Sequence, residues 1–153
     1  MLSTIPFLIL FFALSSCSSD DSTTEPNENE MAAGNYTLIA HNINPPQDIN
    51  EDGNTTSNVL TELPCATGTL VLNANGNWTW TFVDVNVTTI TGGLFKFNCA
   101  SGSLSNSGTW QVQNNILTLF DGFNSVLFTV DENRLTNTTG KDLPDFESTV
   151  YEK

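Results

Sequence analysis

Residues 77 to 85 read Asn-Trp-Thr-Trp-Thr-Phe-Val-Asp-Val, and their reading decides the fold. Large apolar side chains recur at every second position, which is the period of a strand; a helix would space them three or four apart. Trp78, Trp80, Phe82 and Asp84 therefore share one face, and Thr79, Thr81, Val83 and Val85 the other. Working outward, this strand is predicted over 77–88, and the same alternation predicts strands over 35–43, 67–73, 93–99, 107–113, 116–120, 124–130, 134–139 and 147–152. Between them stand Asn73-Ala74-Asn75-Gly76, Asn114-Asn115, Asp121-Gly122 and Asp131-Glu132-Asn133, residue types that accept left-handed backbone angles in tight turns. The expected fold class is all-β, an antiparallel up-and-down meander of eight or nine strands. Such a sheet must close on itself or fold into two layers, because left open it would expose its edges. Only Val59-Leu-Thr-Glu-Leu63, stopped by Pro64, predicts a helical turn.

The N-terminus carries an address. Residues 5–14, Ile-Pro-Phe-Leu-Ile-Leu-Phe-Phe-Ala-Leu, are too short to span a bilayer and have the character of a secretory signal core. Leu14-Ser15-Ser16-Cys17 after them resembles the lipobox of bacterial lipoproteins, in which the Cys thiol is acylated and the peptide is cut just before it. That resemblance implies a signal peptide over 1–16, a lipid on Cys17, and a membrane partner reached through that anchor. Residues 18–33 hold five acids and no base, so 17–33 is expected to be an acidic disordered tether ahead of a domain over 34–153. Ser18, in place of an inner-membrane-retaining Asp, and Asp20-Asp21, which resembles a surface-export signal, imply an outer-membrane or cell-surface location.

The 153 residues contain 17 acids and 4 bases, for a formal net charge of −13. Gripping phosphate requires clustered Lys and Arg, and Lys96, Arg134, Lys141 and Lys153 are all the chain has, so nucleic acid is excluded as a partner. A chain of this length is expected to be one domain, monomeric, with a core of its own. Setting Cys17 aside leaves Cys65 and Cys99, an even pair in an oxidising compartment, which predicts one disulfide.

Gly34-Asn35-Tyr36-Thr37-Leu38 opens the first strand. Asp48-Ile-Asn-Glu-Asp-Gly53, Ser57-Asn58-Val59-Leu60-Thr61-Glu62 and Cys65 follow, then Thr69-Leu70-Val71-Leu72 with Asn75-Gly76, Cys99, and Ser107-Gly108-Thr109-Trp110 leading to Asn115-Ile116-Leu117-Thr118-Leu119. In this order, behind a lipobox, these pieces resemble the small lipocalin-like lipoproteins common in Bacteroidota, and they cover most of residues 34–120. The resemblance implies an eight-stranded up-and-down barrel that binds a small, partly apolar molecule, with no catalytic residue to carry over. Lipocalins open on Gly-x-Trp, whose Trp plugs the barrel floor beneath a late-strand Arg. Here Tyr36 stands at the Trp position and Arg134 is the one arginine, so the expected plug is an approximation of that pair.

Two constellations bear on chemistry. Trp78, Trp80, Phe82 and Asp84, with Trp110, are candidate ligand-binding residues: aromatic faces to stack a small molecule and a carboxylate to orient it. The competing reading is that the aromatics simply fill the barrel of a structural or adhesion module, as inward side chains of eight-stranded barrels do. Asp48-x-Asn50-x-Asp52-Gly53 places oxygens at positions 1, 3 and 5 and glycine at 6, the spacing of a calcium loop. Position 12 is Val59 and not an acid, so Glu62 or water would have to complete the shell. The competing reading is an Asx-rich turn capping residues 58–63. Enzymatic function is not expected, since His41 has no nucleophile motif beside it and the chain has no Gly-x-Ser-x-Gly elbow or phosphate-cradling loop.

Overall fold

The computed structural model describes residues 27–89, 95–139 and 145–153. The signal segment 1–16, Cys17 and the tether as far as residue 26 lie outside the described residues. Within them are α1 (Glu28–Ala32), β1 (Gly34–Gln47), β2 (Thr56–Asn58), α2 (Val59–Glu62), β3 (Gly68–Leu72), β4 (Asn77–Phe82), β5 (Val85–Thr89), β6 (Phe95–Cys99), β7 (Leu104–Gln113), β8 (Ile116–Phe120), β9 (Ser125–Asp131), β10 (Arg134–Asn137) and β11 (Phe146–Glu152). Strands β1, β3, β4, β7, β8, β9, β10 and β11 pair antiparallel in that order, and β11 returns to β1. The result is the expected closed eight-stranded up-and-down barrel. Closure removes the free edges that an open meander would expose.

Each expected turn joins neighbours in the ring. Asn114 and Asn115 both adopt left-handed angles, φ 53° and 61°, which is the two-residue hairpin that matches strand twist. Alternation in the strands sets the inner face: Leu70 lies opposite Trp80 and Leu72 opposite Trp78 across β3 and β4. These residues meet Tyr36, Trp110, Leu117, Leu119, Phe128, Leu135 and Tyr151 in one core.

The fold departs from the sequence reading at three places. The strand expected over 77–88 is two strands in two sheets. After Phe82 the chain leaves the barrel, the Val83 N–H donates to the Thr67 carbonyl, and β5 pairs with β6 as a separate ribbon whose base is tied by the Ala100 N–H to the Asp84 carbonyl at 2.9 Å. The second departure is β1, which runs on to Gln47 past Ile43, the last residue it pairs with β11; Asn42 and Gln47 also pair with β2, a strand the pattern does not predict. Third, the segment expected to be disordered up to residue 33 is ordered from α1. Asn27 caps its first turn by accepting the Glu30 N–H at 3.0 Å, and Ala32 is buried under the barrel. The cap and the buried alanine act together with bonds from Tyr36, Val112 and Lys153 to α1, partners that the tether-like composition does not reveal.

A second core lies outside the barrel, where Ile43, Val59, Leu63, Ala66 and Phe97 bring together the far half of β1, α2 and the ribbon. The expected disulfide is formed there: Cys65, just after α2, is bonded to Cys99 at the end of β6.

Candidate functional site

The end of the barrel where β1 begins is closed. Tyr36 is buried at its floor and its hydroxyl donates to the Ala32 carbonyl at 2.7 Å, holding α1 across the opening. Asn29 accepts the Val112 N–H at 2.7 Å, which fixes the other side of the same helix. The cation over the Tyr36 ring is Lys153, with Nζ 5.8 Å from the ring centroid, and the same ammonium donates to the Ala33 carbonyl at 2.6 Å. Arg134, the residue expected in that role, instead pairs with Glu152 on the surface at 3.3 Å. The pair that meets at this end of the barrel is thus Tyr36 with Lys153.

The expected ligand-binding residues occupy different depths. Trp110 and Trp78 lie toward the closed end, buried, and each indole N–H is committed: Trp110 to the Asn73 and Asn77 carbonyls, Trp78 to the Thr109 carbonyl. Trp80 sits deeper toward the other end. It donates to the Tyr151 hydroxyl at 2.7 Å and meets Phe128 and Tyr151 edge-on, with ring centroids 6.1 and 6.0 Å away. Such edge-to-face contacts are the preferred geometry of aromatic pairs. Phe82 is half-buried, 5.4 Å from Trp80, and faces the open end. Asp84 is apart from all of these: it is exposed beyond the end of β4, and its carboxylate accepts the Val85 N–H. The alternation that would have placed it beside Phe82 ends where the chain leaves the barrel.

At the open end lies a cavity of about 430 Å³. Leu38, Leu60, Ala66 and Phe82 supply apolar surface and Thr37, Thr67, Thr69, Thr81 and Ser103 its hydroxyls; no charged side chain lines it among the described residues. Leu60 comes from α2, so the sequence reading, which looked only along the strands, did not include it. The signal was present in the apolar Leu60 and Pro64 of the predicted helical turn.

The acidic loop lies between β1 and β2. Asp48 accepts the Asp52 N–H at 3.1 Å and the Gly53 N–H at 2.9 Å, and Asp52 accepts the Asn54 N–H at 2.8 Å. The Asn54 backbone bond, with that residue's side-chain amide, holds the Asp52 carboxyl below the usual aspartate range. Asn50 spends its side-chain oxygen on the Asp52 N–H at 2.9 Å. Glu62, the last residue of α2, comes back onto this loop, so that oxygens of Asp48, Asp52 and Glu62 all lie within 4.8 Å of one another. Asn58 sets that approach, since it caps α2 through the Leu60 N–H and accepts the His41 N–H of β1 as well. His41 itself pairs through Nδ1 with the hydroxyl of Thr149 at 2.9 Å, and Thr149 is fully buried, so that hydroxyl is closed to a substrate.

Comparison with family models, with curated proteins and with solved structures gives no match to this chain.

Proposed function

We propose that this protein is a lipid-anchored envelope protein whose barrel binds a small, neutral, partly apolar molecule at its open end. The observation that supports the reading best is the cavity of about 430 Å³ there, apolar with a few hydroxyls and free of charged lining among the described residues. Small-molecule sites combine that volume range with that chemistry. Phe82 forms its inner wall and backs onto Trp80, so a bound molecule would stack on Phe82 and perturb the indole behind it. The ligand site is thus the mouth of the barrel and not its centre.

The test is native mass spectrometry of protein purified from its own host, beside Phe82→Ala. The wild type should carry a co-purifying neutral compound that the variant loses. A wild type at its bare mass, with indole fluorescence unmoved by extracts of the same host, would overturn binding. The anchor is tested separately: Cys17→Ala should abolish labelling by a fatty-acid analogue and release the protein from membranes.

A second reading, a structural surface module, is favoured by the filled interior, where Trp78, Trp80 and Trp110 have every indole N–H bonded and the rings packed. It expects the bare mass and no response of the indole fluorescence.

A further inference from the structure

We infer that the outer wall of the barrel carries a second binding site, a groove over β7 and β8 that takes an uncharged oligosaccharide; the inference is independent of what the open end binds. Charge sets this wall apart. The chain has a formal net charge of −13, yet the five neighbouring strands β1, β3, β4, β7 and β8 contain no Asp, Glu, Lys or Arg. Charged residues ordinarily stand on the water-facing side of a strand. Where they are missing from so acidic a protein, a neutral partner can settle without stripping water from a charge. Within that wall lies a groove of about 460 Å³, lined by Thr109, Gln111, Thr118 and Phe120 above the buried Trp110. Thr109 lies opposite Phe120 and Gln111 opposite Thr118 across β7 and β8, and alternation turns all four outward. Phe120 is 46% exposed. The side chains of Thr109, Gln111 and Thr118 make no hydrogen bond to any described residue, so two hydroxyls and an amide are open to a ligand.

The neighbours of each apolar residue favour a sugar over a protein. In register, Phe120 stands between Thr109 and Ser125, and Ile116 between Gln113 and Thr129. Leu127 lies beside Thr118. Every large apolar side chain on this face is thus bordered by hydroxyls or an amide. A protein interface gathers its apolar residues into a contiguous, fully buried centre, which this face does not have. A sugar ring alternates in the same way as the wall: C–H faces that lie flat on an aromatic ring, edged by hydroxyls that both donate and accept. Thr and Gln side chains also do both, whereas Lys only donates and a carboxylate only accepts. Phe120 is the stacking ring, and Gln111 and Thr118 bond the hydroxyls beside it. The acid in the adjoining turn, Asp121, is spent on the chain itself: its Oδ1 accepts the Phe123 and Asn124 N–H groups at 2.8 and 2.7 Å.

The experiment titrates the full mature chain by calorimetry with maltohexaose, cellohexaose, laminarihexaose and mannohexaose as neutral probes and hexagalacturonic acid as the charged control. At least one neutral probe should bind saturably, and the acidic one about tenfold more weakly or not at all, because like charge repels it. Phe120→Ala and, separately, Gln111→Ala should each weaken binding about fivefold or more, the worth of a lost ring contact or hydrogen bond. Both side chains are exposed, so the far-ultraviolet spectrum and Tm should stay as in wild type. Phe82→Ala, at the open-end cavity, should bind the sugar as wild type does. No saturable binding of any neutral probe, or binding that Phe120→Ala and Gln111→Ala retain, would overturn the groove. Binding lost in Phe82→Ala and kept in Phe120→Ala would overturn it too, placing the sugar at the open end. So would a dimer in sedimentation that Phe120→Ala abolishes, with no sugar bound, since the face would then serve a second copy of the chain.

Discussion

Tyr36 and Tyr151 are the chain's two tyrosines, and burial raises the pKa of both hydroxyls above the ordinary phenol value, Tyr151 the more strongly even though it accepts a bond from Trp80. Unfolded, each would ionise near pH ~10. Above that pH the folded state binds more protons than the unfolded one, so this contribution to stability is complete below about pH 10 and is lost as pH rises further. An alkaline titration followed by phenolate absorbance should therefore show no ionisation near pH ~10 and then both phenolates together as the barrel unfolds; one tyrosine ionising early, with the far-ultraviolet spectrum unchanged, would contradict the burial. The role of Tyr36 was half legible. Its place in Gly34-Asn35-Tyr36 marks it as the floor residue, but its cation comes from Lys153, a C-terminal residue whose position depends on how the last strand closes the ring. Glu62 shows the same limit. Nothing in the loop's own spacing brings it to Asp48 and Asp52; only α2 folding back does so.

At the scale of elements, Gly108 in β7 is a close approach that a strand pattern does not reveal. It faces Trp78 across β4, and a Cβ there would run into the Phe120 carbonyl of β8 and crowd the Trp78 indole nitrogen. Because the obstructing atom is backbone and not a flexible side-chain end, Gly108→Ala should cost about 1–3 kcal/mol, as overpacking does. Ser107→Ala, its exposed neighbour, should stay within about 0.5 kcal/mol of wild type, and chemical denaturation of the two variants compares them directly. The strands themselves were legible because alternation is physical: one face meets the core and the other meets water. Three elements were not, each for its own reason. Thr56-Ser57-Asn58 is polar at all three positions, so β2 leaves no periodic trace. The apolar phase moves from even positions (Trp78, Trp80, Phe82) to odd ones (Val83, Val85, Val87), and that one-residue shift, where the chain changes sheet, is a local mark that reading 77–88 as a single strand passes over. The short α1 is held by contacts from Tyr36, Val112 and Lys153, distant partners that composition alone does not show.

For the whole molecule, two cores of different kinds imply two levels of stability. The barrel core is bounded by a closed ring, in which no strand can leave without breaking pairing on both sides. The outer core of Ile43, Val59, Leu63, Ala66 and Phe97 is small, and among the described residues the strands of its ribbon pair only with each other. What joins the ribbon to α2 covalently is the Cys65–Cys99 disulfide, which spans a sequence separation of 34 residues. Closing a loop of that size stabilises by roughly 3–4 kcal/mol, chiefly through the unfolded chain. Replacing both cysteines by serine should therefore lower global stability by about that amount, and the loss should be unevenly distributed. Hydrogen exchange should accelerate first in β5, β6 and α2, while the amides of Leu70, Leu117, Leu119 and Phe128 in the barrel remain the slowest. The open-end cavity takes Leu60 and Pro64 from the loosened segment, so its rim should loosen with them. Uniform acceleration across barrel and ribbon would show instead that the two cores unfold as one unit, and the disulfide would then be a staple of the whole barrel and not of its outer lobe.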